Sequence, residues 1–314
     1  MAFPRTTGSP DYTRSTGSSF IPEIFSGKLL VKFYAATCLD KITNNDYEGE
    51  IRDIGDTVII PTVPDTVIRT YQKGQKLTLD RPDADPVELY IDKGQYYSHI
   101  VDDVDKIQAK IKLLDAWAQD AAEQMKIKVE QDVFGSVYAS VSSSNTGATA
   151  GKETAGFNFG ATGAPVQFTK NNAIDYIVDA GTILDEQNAP ESGRWMILPS
   201  WAVGMIKKSD VKDASLTGDG SSVLRNGRVG MIDRFEVYAS NNLTSVAAGT
   251  EASGFKSWWA LFGTNDAITF ASQYVKTESL RAESSFGDIV RGLKVYGYKV
   301  IKPEALGALY MYKS

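Results

Sequence analysis

One histidine, His99, and one cysteine, Cys38, bound the chemistry that this 314-residue chain can host. A multi-histidine metal centre is excluded, and a Ser-His-Asp relay would have to run through His99. That residue stands in "YYSHIVDD", just ahead of a stretch with helical spacing, where a structural role is the simpler reading. A hydrolase built from His99 with a nearby Ser and Asp stays open as an alternative. "GATAGKET", Gly147 to Thr154, is similar to a phosphate-binding loop, but three residues separate its glycines instead of four and Glu153 follows the lysine where Ser or Thr would bind magnesium. No strand is expected ahead of it. Asp102, Asp103 and Asp105 could hold a cation, yet acidic residues in a first helical turn also complement the positive end of the helix dipole, and that reading is preferred. Asn242-Leu243-Thr244 fits the glycosylation pattern, which has meaning only for an exported chain. Neither a catalytic constellation nor a metal or cofactor site is expected.

Composition narrows the classes further. With 42% apolar residues the chain can bury a real core, and its length suits one large or two small domains. No run of about 18 apolar residues is present to span a bilayer, and the opening "MAFPRTTGSPDYTRSTGSS" lacks the apolar middle of a secretory signal, so a chain without membrane contact is expected. Cys38, in "LLVKFYAATCL", is read as a packed small side chain. A net charge of −6 argues against a broad basic surface for nucleic acid.

The elements read as follows. Residues 1 to 20 are too polar to fold alone and form an arm, while "IPEIFSGKLLVKFYAATCLDKI", 21 to 42, is apolar and docks on something larger, which includes another subunit. From Gly49 to Ile100 the period is two: Val58 and Ile60, Val67 and Ile68, Leu77 and Leu79, then Val87, Leu89 and Ile91 mark short strands of an extended hairpin. Its tip carries Arg69, Lys73 and Lys76, with Arg81 at its edge, and too few apolar residues for a core of its own. Val104, Ile107, Ile111, Leu114, Ala118, Ala121 and Met125 recur at helical spacing, continuing through Val129 and Val133, which predicts a helix from Asp102 to about Tyr138, roughly 55 Å long. Trp117, beside the stripe, is expected to anchor packing. A Ser/Gly/Ala/Thr segment after Gly135 reads as a flexible loop or boundary.

A second unit begins at Thr169, taken as a helix cap, with Ile174, Ile177, Val178 and Leu184 on one face. "RWMILP" reads as a buried strand, and Ser200 as the cap of a short helix bearing Trp201, Val203 and Ile206. In "GRVGMIDRFEVYASNNL" Val229, Met231, Phe235, Val237 and Tyr238 suit a bent strand pair turning at Asp233-Arg234, with Gly227 and Gly230 serving curvature and Asn241 and Asn242 closing the strand on local backbone. Trp258 and Trp259 should face opposite sides of a strand.

The order of "GDTVIIPTVPDTVIRTYQKGQKLTLDRPDADPVELYID", the long helix, "GRVGMIDRFEVYASNNL" and "FGDIVRGLKVYGYKVIKPEALGALYM" resembles the tailed-phage major capsid proteins of the Hong Kong 97 type over about residues 20 to 314. The resemblance implies an α+β fold: an N-terminal arm (1–48), an extended loop (49–100), a peripheral domain with a spine helix (101–164), an axial domain (165–275) and return strands (276–314). It also implies copies that assemble as hexamers and pentamers into an icosahedral shell in the virion, after synthesis in a host cytoplasm, around double-stranded DNA bound without sequence specificity. Scaffolding, portal, and decoration or tail proteins are the further partners implied. Arg69, Lys73 and Lys76 are then intersubunit contacts, and Ile107, Ile111, Leu114 and Trp117 pack the spine. Some relatives crosslink a loop lysine to an asparagine, with a buried glutamate as catalyst; the hydrated setting of Lys73 and Lys76 in "YQKGQK" points instead to a shell without covalent bonds. An encapsulin-like nanocompartment shares the fold and remains an alternative.

Overall fold

The computed structural model describes residues 34–46, 57–64, 66–80, 86–102, 113–209, 230–250, 254–283 and 286–313. In chain order come helix α1 (Leu39–Ile42), strands β1 (Thr57–Ile60), β2 (Val87–Tyr90) and β3 (Lys93–Asp102), and the long helix α2 (Leu113–Val137). Then follow β4 (Val166–Gln167), α3 (Ala173–Glu186), β5 (Arg194–Leu198), α4 (Ser200–Lys208), β6 (Met231–Ile232), β7 (Phe235–Ala239), β8 (Ser245–Val246) and β9 (Ser257–Thr264). Two 14-residue strands, β10 (Ile268–Arg281) and β11 (Gly287–Val300), and β12 (Leu306–Tyr312) complete the chain.

A mixed seven-stranded sheet in the order β4-β12-β9-β5-β7-β6, with β8 also on β9, organises the core. Side chains alternate across it. Met196, Leu198, Ala260, Phe262, Leu309 and Met311 pack with α3 and α4 on one face. Trp195, Ile197, Trp259, Leu261, Ala308 and Tyr310 pack with α1 and the last turns of α2 on the other. A strand covered on both faces favours apolar side chains, which is why Trp195 to Leu198 are apolar and buried, while the buried Arg194 that opens the strand is paired with Asp185. Trp259 stacks on Tyr310 and Tyr138 while Trp258 meets Trp201, so the two tryptophans do face opposite sides.

β10, β11 and β3 form a three-stranded antiparallel sheet, and α2 lies against β3. At roughly 3.4 Å per residue, β10 and β11 run about 45 Å. The two-stranded β1–β2 sheet docks on their base, where Val58, Ile60, Leu89 and Ile91 close over Ala271. β12 departs from the other ending strands by lying inside the seven-stranded sheet, between β4 and β9.

Several local expectations are corrected. Asp102 ends β3 instead of opening the helix, and His99 lies inside that strand; Asp103, Asp105, Ile107 and Ile111 are outside the described residues. Described α2 is 25 residues, about 37 Å long. The helix after Thr169 is capped at Asn172, whose Oδ1 accepts from the Thr169 N–H and hydroxyl, and Val178 faces solvent. Ser200 is the first residue of α4, with Pro199 at the cap position, and its hydroxyl donates to Asn241 Oδ1. Neither Val67-Ile68 nor Leu77-Leu79 forms a strand.

The Ser/Gly/Ala segment is not a loose loop. Asn145 is buried and its amide donates to the Glu304 and Leu306 carbonyls, while Phe159 and Ala150 are core residues. Asp233 and Arg234 do turn the strand pair, with φ of 44° and 65°, the doubly left-handed geometry of a tight hairpin. Gly227 lies outside the described residues and Gly230 has open space around it, so no role in curvature is visible at Gly230.

Candidate assembly surfaces

The segment from Pro61 to Asp80 leaves the β1–β2 base and returns to it with its apolar side chains in solvent. Val63 is 94% exposed, Ile68 and Leu79 89%, and Val67, Tyr71 and Leu77 are exposed as well. Such a concentration is unusual for a surface that stays wet. The Arg69 guanidinium spans the two arms of the loop, donating to the Asp80 carboxylate at 3.1 Å and toward the Thr78 carbonyl. At the tip the Gln75 N–H closes a turn on the Gln72 carbonyl, and Gly74 takes a φ of 86° there; Lys73 and Lys76 flank it, exposed. Arg69 therefore braces the loop, while the two lysines present charge at its end.

At the other predicted site, Trp117 is half-exposed near the start of described α2, its ring centroid 6.2 Å from that of His99 in an edge-on arrangement. Leu114 lies on the same helix, whose backbone alone is described there. His99 is half-buried in a groove of about 260 Å³ between β3 and α2, lined by Tyr97, Asp120, Ala121, Gln124, Met125 and others, with no serine, threonine or cysteine among them. Ser98, next in the strand, points to the opposite face. Among the described residues no hydrolase arrangement is assembled at His99.

Across β3, that opposite face carries Tyr96, Ser98 and Ile100, in register with Leu293, Arg291 and Ile289 of β11 and with Lys276, Glu278 and Leu280 of β10. It forms a recess of about 540 Å³. Hydrogen bonds from Lys276 and Arg291 lower the Glu278 carboxyl from its ordinary value, which favours its charged form. In the "GATAGKET" loop an internal anion takes the ligand's place: Glu186 Oε2 accepts from the Glu153 and Thr154 N–H groups. Asn242 is buried with its amide engaged, which leaves no acceptor for a glycan. Among the described residues no group of three metal-ligating side chains gathers, and no described helix is long and apolar enough to cross a membrane.

Sequence reasoning missed one residue, Glu130 of α2, which is 0% exposed. Its Oε2 accepts from the N–H groups of Cys38 (2.7 Å) and Leu39 (3.2 Å). Its Oε1 accepts from the Ser240 hydroxyl and the Asn242 amide, both at 3.0 Å. Asn242 thus reaches a helix 112 positions away instead of local backbone. The signal was available in the helix period, since Glu130 shares a face with Phe134 and Val137. Cys38 is packed as expected, and burial, reinforced by the Glu130 charge, pushes its thiol pKa up.

A two-faced sheet, a long helix on a thin three-stranded sheet and a projecting apolar loop define a shell-building subunit of the Hong Kong 97 type. The family model described as "Phage capsid protein" matches residues 97–311, and the chain belongs to that family. It is a phage major capsid protein, placed in the capsid of the virion. Among solved structures, one from Mycobacterium phage Che8 is similar over 92% of this chain and 97% of its own, with 25% identity and a TM-score of 0.73. The capsid structure of the cyanophage P-SCSP1u is similar at 16% identity over 98% and 100%, with a TM-score of 0.69. The capsid of an empty GTA particle matches at 14% identity over 96% and 99%, with a TM-score of 0.63. No curated protein matches the chain.

Proposed function

We propose that copies of this chain are clasped into the head shell by the 61–80 loop, which lays its apolar side chains on a neighbouring copy. The observation that carries this reading is the exposure of Val63, Val67, Ile68, Tyr71, Leu77 and Leu79 on a loop whose base is rigidly docked. Lys73 and Lys76 meet acidic groups of the neighbour, while Arg69 keeps the loop's two arms together. The subunit divides into the arm (1–48), extended loop (49–100), peripheral part with the spine (101–164), axial part (165–275) and return strands (276–314), with β12 stitching the return into the axial sheet. Ile107, Ile111, Leu114 and Trp117 pack the spine. The shell is built of hexamers and pentamers, encloses double-stranded DNA without reading its sequence, works without catalysis, and meets scaffolding, portal, and decoration or tail proteins.

Expressed subunits are to be assembled and viewed by electron microscopy, with nuclease protection measured on particles from infected cells. DNA-filled closed shells are expected; protein-filled shells would favour a nanocompartment. Replacing Lys73 and Lys76 by Glu should block assembly and leave the subunit's circular dichroism unchanged. Normal shells from that variant would overturn the clasping role of the tip.

A further inference from the structure

We infer that Glu130 is a coupling latch, through which the seating of the N-terminal segment 34–44 and the position of the β7 end at 240–242 depend on one another. The two carboxylate oxygens divide the work. Oε2 serves the backbone of Cys38 and Leu39, and Oε1 serves Ser240 and Asn242 with the Cys38 thiol a weak, long contact at 4.0 Å, so one buried group bridges two segments about 200 residues apart in the chain. All four donors are neutral, and the anion's burial is tolerable only while they are in place together. Withdrawing the donors on one oxygen leaves a half-solvated buried charge, which loosens the hold on the other side. That is a free-energy coupling between two places, reciprocal by necessity.

The geometry gives the latch something to transmit. Tyr34 donates to Asp120 of α2, at the outer end of the segment. Residues 34–38 then run extended along the helix to Glu130. Beyond it Leu39 and Ile42 enter the core, and Asn44 bridges to Thr269 of β10. A pull on the chain ahead of Tyr34 therefore meets the Tyr34–Asp120 bond first, then Glu130, and the axial sheet through it. On the other side Ser240 and Asn242 close β7, the strand that pairs with buried β5.

The chain carries its own reporter, because Cys38 is its one cysteine and sits inside the latch. Its reaction with a maleimide in the folded full-length protein measures the unseating of segment 34–44. Asn242→Ala removes a donor from Oε1 and leaves the backbone bonds of Cys38 and Leu39 to Oε2 in place; because the Cys38 thiol also contacts Oε1 at 4.0 Å, the rate is referred to that of the same variant unfolded in denaturant. If the latch couples the two sides, this change accelerates Cys38 labelling by about tenfold or more, the size of a lost hydrogen bond to a charged group. Ser240→Ala acts in the same direction and serves if Asn242→Ala fails to fold. Glu130→Gln, which sets an amide NH2 against the donors on one side and removes the charge from both, accelerates labelling further. Wild-type labelling rates in both Oε1-side variants, with acceleration in Glu130→Gln alone, would overturn the coupling and leave a simple anchor. So would acceleration accounted for by global unfolding, judged from chemical denaturation of the same variants.

Discussion

Replacing Gly297 by alanine tests the joint that aims the loop. Gly297 lies in β11 beneath the β1–β2 base, and a Cβ there would sit 2.1 Å from the Tyr90 carbonyl oxygen, 2.9 Å from its carbon and 3.0 Å from the Ile91 Cα. An unstrained carbon–oxygen contact is about 3.3 Å or longer, so more than about 1 Å must open. All three neighbours are backbone, so no rotamer change relieves the clash, and β2 has to lift. Lifting it strips cover from Leu89 and Ile60, both buried now. Overpacking of this kind costs about 1–3 kcal/mol. For a chain of this size that lowers the melting temperature by about 1.5–5 °C. Gly94→Ala is the matched control: it lies on β3, and its Cβ would meet only the Lys294 carbonyl oxygen at 4.0 Å, an ordinary contact. Melting of the soluble subunit, followed by protease nicking within 61–80, should separate the two variants, with Gly297→Ala alone melting lower and nicking faster. Equal melting temperatures within about 1 °C would refute the docked-base argument.

Deleting residues 1–33 should leave subunits with wild-type melting that no longer close shells, whereas deleting 1–42 should also lower the melting temperature, since Leu39 and Ile42 are core and Glu130 would lose two donors. Closed shells of normal stability from the shorter deletion would refute the arm's role. Although desolvation opposes it, hydrogen bonds from Arg194 and Arg234 hold the Asp185 carboxyl below its ordinary value. A depressed carboxyl contributes stability above the unfolded value and loses it as pH falls through the folded one. Asp185→Asn should therefore be less stable than wild type by about 1 kcal/mol at pH 7, Asp185 being partly exposed, and the gap should shrink below about pH 4. A gap constant from pH 7 to pH 3 would contradict this. Mature particles boiled in detergent and reductant should run as one band at the mass of a single chain; a ladder of multimers would show covalent joining.

What could be read from the sequence was what depends on near neighbours. Trp195 to Leu198 show their double burial as an apolar run, and Asp233-Arg234 shows its turn because two small-period segments flank it. Cap positions differ by one to three residues: Thr169 and Ser200 are good cap types, but the first helix starts after Asn172, whose side chain ties the preceding turn to Thr169 and the Gln167 carbonyl and makes no bond to the helix N–H groups. The segment 139–164 was misread because its order comes from afar. Its composition is that of a linker, yet Asn145 is held by residues near 305, and Gly160 lies so close to the Tyr310 carbonyl that a Cβ would sit 2.4 Å from it. Local composition carries no trace of such partners. Glu130 escaped for the same reason: a lone acid beside an apolar stripe reads as the stripe's edge until its four donors are known.

The contrast between core and loop also says where a substitution should act. The seven-stranded sheet is packed on both faces by residues of the same chain. The loop is the reverse, for Val63, Ile68 and Leu79 make almost no contact within the chain while Leu89 and Ile91, at its base, are buried. Full burial of such a side chain is worth about 1.5–3 kcal/mol. In the proposed shell that gain is realised between copies and repeated at every loop, so a polar residue at Ile68 would leave subunit melting unchanged and weaken assembly, while the same change at Leu89 would strike both. The boundary between the two behaviours falls at the β1–β2 base, where Gly297 lets one backbone rest on another.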